Sequence, residues 1–188
     1  MVETEIKLRW AGSAADARAH IERQGYRVIE ARTLESDQLF DRASGELKQS
    51  DQILRLRRTG PREAGGKATV TYKGPAIRER HKSREEIEFQ VSDAEAFTHM
   101  LERLGYLPGF RYEKYRTKFA TGGEPGIITL DETPIGVFLE LEGAKSWIDH
   151  TAGRLGFALS AYSTASYAAL YREYRQENKE SPPDMIFG

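Results

Sequence analysis

The sequence predicts an α+β fold: a closed eight-stranded antiparallel β-barrel with amphipathic helices packed outside. Three observations predict it. Eight stretches alternate apolar and polar residues with the period of two that a half-buried strand requires. On the polar face of several of them, charges of one sign recur two residues apart. Between and after these stretches lie capped amphipathic helices, which can cover the apolar outer face of a barrel. About eight strands close into a barrel whose interior holds one small ligand.

The first strand, VETEIKLRW (2–10), puts Glu3, Glu5 and Lys7 on one face and Ile6 and Leu8 on the other. SAADARAHIERQG (13–25) follows as a helix, with Ser13 as N-cap and Gly25 as stop. Strands are expected at 35–41 and 52–59, where LRLR sets Arg55 and Arg57 opposite Leu54 and Leu56. The turn TGPREAGG (59–66) leads to a strand at 67–74, with Thr69, Thr71 and Lys73 facing one way. The strand at 83–91 aligns Arg84, Glu86 and Glu88. A second helix, 92–105, takes Ser92 as cap, Glu95 three residues on, and Gly105 as stop. The two helices end alike, in ERQG and ERLG, each followed by tyrosine, a faint sign of internal duplication. Strands at 113–121, 126–132 and 135–142 carry Lys114, Arg116 and Lys118, then Thr129 and Asp131, then Glu140 and Glu142. Helices near 144–156 and 163–176 complete a single domain over 1–176. The stretch after it, 177–188, is polar and proline-bearing and reads as a disordered tail.

Bulk composition narrows the partners. Charged residues make up 30% of the 188, yet the net charge is −1. A protein that grips nucleic acid broadly is visibly basic, so no nucleic-acid partner is expected. No apolar run is long enough to cross a bilayer, which excludes a membrane partner of that kind. There is no cysteine, hence no disulfide, thiolate nucleophile or Cys-based zinc site. With an ordered pattern from Val2 and no signal peptide ahead of it, a cytoplasmic location is expected. The chain could pair as a homodimer.

A solvated sheet face also alternates, so one strand proves little. The set is more telling, because like charges close together repel and a sheet built only for stability has no reason to collect them. Charged faces turned inward cannot form a dry core, since unpaired buried charge costs several kcal/mol. The interior is therefore expected to be a wet, ligand-binding tunnel. Mg²⁺ prefers carboxylate and phosphate oxygens, and Arg and Lys neutralise phosphate. Acidic doublets thus read as metal ligands and basic doublets as a phosphate cradle. No G-x-x-x-x-G-K-[ST] occurs, so a P-loop is excluded.

Glu3/Glu5/Lys7, QILRLRR (52–58), TYKGP (71–75), Arg84/Glu86/Glu88, Lys114/Arg116, LDETPIGVFLELEG (130–143) and Ser166/Tyr167/Leu170 occur in an order that resembles the CYTH superfamily, the triphosphate tunnel metalloenzymes. The resemblance runs from Val2 to about Leu170 and is nearest the class IV adenylyl cyclase-like subgroup. It implies an eight-stranded barrel acting on a triphosphate-containing small molecule (ATP, triphosphate or thiamine triphosphate) with Mg²⁺ or Mn²⁺. It implies that Glu3, Glu5, Glu140 and Glu142 bind metal, with Asp131 placed beside them. It implies that Lys7, Arg55, Arg57, Lys73, Lys114 and Arg116 bind phosphate and serve catalysis, with Arg84 added to the substrate set. Glu86 and Glu88 match family positions without an assigned role. The chain departs from the pattern at Ala169–Leu170–Tyr171, where Leu-Leu is expected after Ser-Tyr.

His20, His81, His99 and His150 fall in no charged doublet and carry no expected role; His81 alone sits in a cation-rich loop, PAIRERHKSR (75–84). That loop reads either as solvated and mobile or as a lid over the phosphates. Ser166 and Tyr167 read as packing and hydrogen-bonding residues. The function expected first is adenylyl cyclase, ATP to cyclic AMP and pyrophosphate. The alternative is a triphosphatase, and the third reading is a non-catalytic polyphosphate or nucleotide sensor.

Overall fold

The computed structural model describes residues 1–60 and 67–188, so the turn expected at 59–66 lies, beyond Gly60, outside the described residues. The strands are β1 (Val2–Trp10), β2 (Arg27–Asp41), β3 (Ile53–Thr59), β4 (Lys67–Lys73), β5 (Ile77–Arg78), β6 (Lys82–Val91), β7 (Leu107–Ala120), β8 (Ile127–Thr133) and β9 (Gly136–Glu142). The helices are α1 (Ala14–Arg23), α2 (Glu46–Gln49), α3 (Ala94–Arg103), α4 (Lys145–Arg154) and α5 (Tyr167–Glu177). The sheet order is β1-β9-β8-β7-β2-β3-β4-β6, and β6 pairs back onto β1 to close the barrel. All pairings between these strands are antiparallel, and the two-residue β5 adds to β6 outside the ring. This is the expected eight-stranded barrel plus one short strand.

Exchanging β1 with β6, β2 with β7, β3 with β8 and β4 with β9 leaves this strand order unchanged. The matching helix ends expected from sequence occupy equivalent places in the two halves: α1 leads into β2 and α3 into β7. Each helix ends at a glycine in the left-handed region, Gly25 at φ +92° and Gly105 at φ +84°, where a Cβ is costly. At the other end of α1, Ser13 and Asp16 form a reciprocal capping box. In α3 the cap is Asp93, not the expected Ser92; its carboxylate accepts from the Glu95 and Ala96 amides.

Two strands begin earlier than the sequence suggests. β2 starts at Arg27, but its pairing with β7 shifts register between Val28 and Glu30, between Glu30 and Thr33, and between Gln38 and Phe40. Each bulge adds a residue and breaks the period of two. β7 starts at Leu107 through Pro108 and Gly109, residues that read as strand breakers.

The apolar faces point outward into helices. Ile6 and Leu8 of β1, Ile128 and Leu130 of β8, and Leu139 and Leu141 of β9 pack with Ile21 of α1 and Ile148 of α4. On the other side, Leu56 and Val70 pack with Leu101 and Phe97 of α3. Removing this apolar surface from water supplies most of the driving force for folding and leaves the charged faces turned inward.

The stretch expected to be a disordered tail is instead held against the barrel. Met185 is fully buried and bridges Tyr112, exchanging backbone hydrogen bonds with β7. Asp184 accepts from the Arg111 amide, and the Tyr171 hydroxyl donates to the Pro182 carbonyl. Polar composition concealed one apolar anchor. The loop at 75–84, read as mobile or as a lid, is also pinned. Arg78 forks onto Asp51, and buried His81 hydrogen-bonds Asp149 at 2.8 Å through Nε2.

A charged tunnel as the candidate active site

Strand alternation carries the charged faces of β1, β3, β4, β6, β7 and β9 into the barrel. They line a cavity of about 250 Å³. Ten of the sequence-derived residues lie on its wall: Glu3, Glu5, Lys7, Arg55, Arg57, Lys73, Lys114, Arg116, Glu140 and Glu142. Lys82, Glu86, Glu88, Lys118, Thr129, Tyr112 and Tyr167 line it as well.

The cations hold carboxylate partners. Lys7 Nζ lies 2.6 Å from Glu140, Lys73 2.5 Å from Glu86, and Lys82 2.5 Å from Glu5. Arg116 reaches both Asp131 and Glu140. Behind this wall stand two carboxylates that sequence reasoning left without a role, Glu35 and Asp37 of β2. Asp37 is fully buried and takes a fork from Arg57, with Nε at 2.8 Å and Nη2 at 3.1 Å. Glu35 lies 3.0 Å from Arg57. The signal for both was an acidic doublet, but one separated from its neighbours by a strand whose period is broken.

Asp131, placed with the metal-binding carboxylates by the sequence, lies behind the cavity wall. It is fully buried, off the cavity wall, and its oxygens accept from Lys114 at 2.9 Å, from Arg116, and from the Tyr167 hydroxyl at 2.7 Å. It is the counter-ion that holds two cations in place. Arg84 is also off the wall and 4% exposed, and its Nε and Nη1 have no hydrogen-bond partner.

Protonation tendencies divide the carboxylates into two groups. Burial would raise Glu5 and Asp37, but the first faces Lys82 and the second Arg57 and Arg55, and both are held down at about 2. The opposite holds at one end of the cavity. Burial, then the charges of Glu142 and Glu86, push Glu3 up to about 7. Burial, then Glu5 and Glu140, push Glu142 up. Lys73 and Lys114 are lowered by burial and next by Arg55 and Arg116 respectively. Among the described residues no three acidic or imidazole side chains are gathered into a ready metal cage. The carboxylates form a wall.

Tyr167, expected to serve packing and hydrogen bonding, does both. It lies under Lys7 Nζ at 4.4 Å and Lys114 Nζ at 4.9 Å from its ring centre. Thr129, unremarked in the sequence except as a neighbour of Asp131, has a buried hydroxyl with no hydrogen-bond partner.

Comparison with known proteins agrees with this architecture. The CYTH domain family model matches residues 1–153. A Methanocaldococcus jannaschii protein named "Putative adenylate cyclase" is 29% identical over 149 residues, 79% of this chain and 81% of that protein. The solved structure of a "putative adenylate cyclase" from Vibrio parahaemolyticus has a TM-score of 0.76 and 21% identity, covering 92% of this chain and 98% of its own. A Hippeastrum "putative adenylyl cyclase", described as revealing a dominant triphosphatase activity, has a TM-score of 0.65 and 19% identity, covering 92% and 96%. These two structural likenesses speak for the fold. With the family match spanning most of the chain and the charged interior of the barrel on view, the chain belongs to the CYTH domain family.

Proposed function

We propose that the protein is a metal-dependent enzyme that acts on a triphosphate-containing substrate in its tunnel, and that it converts ATP to cyclic AMP and pyrophosphate. The observation that carries this reading is one cavity in which a cation wall faces a carboxylate wall. Phosphate oxygens suit the first and a hard divalent cation the second.

The donor set fits Mg²⁺ or Mn²⁺. Every donor is a carboxylate oxygen; beyond burial, Glu142 and Glu86 push Glu3 up, and Glu5 and Glu140 push Glu142 up, a crowding of like charge that a bound cation would relieve. Glu3, Glu5 and Glu142 would hold it; Glu140, tied to Lys7 and Arg116, is the least free of the four. When bound, such a cation supplies Lewis-acid polarisation of a phosphoryl oxygen and lowers the pKa of an attacking hydroxyl.

The chain's own residues do the rest. Lys7, Lys73 and Arg116 exchange the carboxylates of Glu140 and Glu86 for phosphate oxygens, while Arg55, Arg57 and Lys114, held from behind by Asp37 and Asp131, add further contacts that fix the triphosphate. The 3′-oxygen bonds to the α-phosphorus while the bond to the bridging oxygen breaks, and the hydroxyl proton passes to water in the tunnel. Negative charge then grows on pyrophosphate, where fixed cations stabilise it without reorganising.

The name of the M. jannaschii relative supports the cyclase reading. The activity described for the Hippeastrum structure keeps a triphosphatase as the second reading, with water attacking a terminal phosphorus in the same tunnel. A sensor without catalysis would have no use for four glutamates on the wall. The test is incubation with ATP and Mn²⁺ at mildly alkaline pH, with products separated by chromatography. Cyclic AMP with pyrophosphate is expected. Orthophosphate without cyclic nucleotide would replace the cyclase by the triphosphatase.

A further inference from the structure

We propose that His81, clamped by Asp149 on the outside of the barrel, is a positioning residue for the tunnel: it fixes where Lys82 enters the cavity, and so sets the affinity for a metal–triphosphate complex. The proposal rests on the triphosphate reading above and adds a residue that touches neither substrate nor metal.

Lys82 lies on the cavity wall, buried, with its Nζ 2.5 Å from Glu5. Glu5 is one of the carboxylates assigned to the metal, so a bound cation would leave Lys82 to take a phosphate oxygen. That exchange works only if the ammonium stays aimed inward, and little of the sheet holds the backbone beneath it. Lys82 is the first residue of β6, and its partner Glu5 is the last residue of β1 in register with that strand. The β1–β6 pairing covers only Val2–Glu5 on β1, the shortest in the ring among the described residues. At Lys7 the edge of β1 is taken instead by Ser163, through backbone hydrogen bonds of 2.8 and 2.9 Å. Lys82 thus stands where the closing seam of the barrel ends.

The clamp sits on this point. His81 is 5% exposed, and its Nε2 donates to Asp149 Oδ1 at 2.8 Å. Asp149 belongs to α4, whose Ile148 packs into the apolar cluster outside β1 and β9. The same carboxylate accepts from the Tyr162 hydroxyl and lies 3.3 Å from Arg80 Nη1. Burial would raise Asp149, but the hydrogen bonds from His81 and Tyr162 hold it below the ordinary carboxylate value. Tyr162 stands beside His81, with ring centres 6.0 Å apart, and the residue after it is Ser163. Asp149 is thereby located against β1 through Ser163 and against β6 through His81. His81 and Lys82 are neighbours in the chain, yet one turns to α4 and the other to the cavity. A single rigid peptide unit joins them, so a shift at His81 moves Lys82.

The experiment is calorimetry with Mg²⁺ and uncleavable methylene-bridged ATP, run on the parent, His81→Ala, Lys82→Ala, the double variant and His81→Gln. His81→Ala and Lys82→Ala should each weaken binding about tenfold, the scale of one charge-assisted hydrogen bond. The double variant should lie within about twofold of Lys82→Ala, because His81 acts through that ammonium. Glutamine can present an N–H where Nε2 stood, so His81→Gln should stay within about threefold of the parent. Asp149→Ala, at a side chain 31% exposed, repeats the cycle from the other side of the clamp and decides it should His81→Ala fail to fold. Losses that multiply to about a hundredfold, or a His81→Ala variant that binds as tightly as the parent, overturn the positioning role and leave the tunnel reading standing. A parent that binds no Mg²⁺–nucleotide overturns the tunnel reading and this role with it.

Discussion

Replacing Glu3 by Gln should make the metal-free protein more stable at neutral and alkaline pH, although it removes a carboxylate that the proposed function assigns to the metal. Glu3 is pushed from 4.5 up to about 7 by burial and by Glu142 and Glu86. The sign follows from linkage. The folded state keeps the proton to higher pH than the unfolded state, so stability is lost as pH rises from about 4.5 through about 7. Below that window both states are protonated and nothing is lost. The full shift would correspond to roughly 3.4 kcal/mol at 1.36 kcal/mol per pKa unit. Glu3 is only partly buried, so solvent screening reduces this to roughly 1–2 kcal/mol. Glutamine keeps the shape and removes the charge. Urea unfolding in a chelator should show the variant about 1–2 kcal/mol more stable near pH 8, a midpoint shift of about 0.5–1 M. The gain should vanish near pH 4.5. Saturating Mg²⁺ should reverse the order, since only the parent retains the carboxylate. A variant less stable than the parent near pH 8 without metal, or a gain that persists near pH 4.5, would refute the reasoning.

Three other outcomes are expected. Asp131→Asn should cost about 3–5 kcal/mol of stability, because it strips buried Lys114 and Arg116 of a counter-ion; a variant of parental stability that has lost its response to metal would restore Asp131 to the ligand set. Arg55→Ala and Arg116→Ala should each weaken triphosphate binding by about 1.5–3 kcal/mol, and a parent that binds monophosphate as tightly as triphosphate would remove the cradle. Triphosphate and Mg²⁺ should each raise the other's affinity by the same factor, about tenfold, once their association in buffer is allowed for; independent binding would show that the two walls are not coupled.

Much of this arrangement was legible in the chain, and the reasons are local. Arg55 and Arg57, or Glu140 and Glu142, sit on strands with unbroken alternation, so their common face could be read by counting. Like-signed doublets then pointed inward, because only a ligand gives them a purpose. What escaped notice depends on long-range pairing. Glu35 and Asp37 form a doublet too, yet β2 bulges beside them and nothing local reveals that they will neutralise Arg57 and Arg55 from behind. Asp131 alternates correctly with Thr129, but the depth at which it is covered by Lys114, Arg116 and Tyr167 is a property of two other elements, β7 and α5. The tail was misread for a related reason: average polarity described QENKESPPDMIFG well and missed that a single methionine could anchor it.

The ion pairs inside the tunnel explain how a protein can carry so much charge internally and still bind a charged substrate. A buried cation left alone is costly, and a buried carboxylate equally so. Pairs such as Lys7–Glu140 and Lys73–Glu86 therefore act as mutual place-holders. A triphosphate entering alone would take the cations and strand the carboxylates; a divalent cation entering alone would do the reverse. A metal–triphosphate complex satisfies both walls in one exchange, so no buried charge loses a partner. Asp37 and Asp131 do not take part in that exchange, because they sit behind the wall and off its surface. They keep Arg57, Lys114 and Arg116 aimed into the cavity whichever partner is present. Under the proposed function the two layers of acid would do different work: the rear layer would set direction, and the front layer would be the part that substrate and metal displace together.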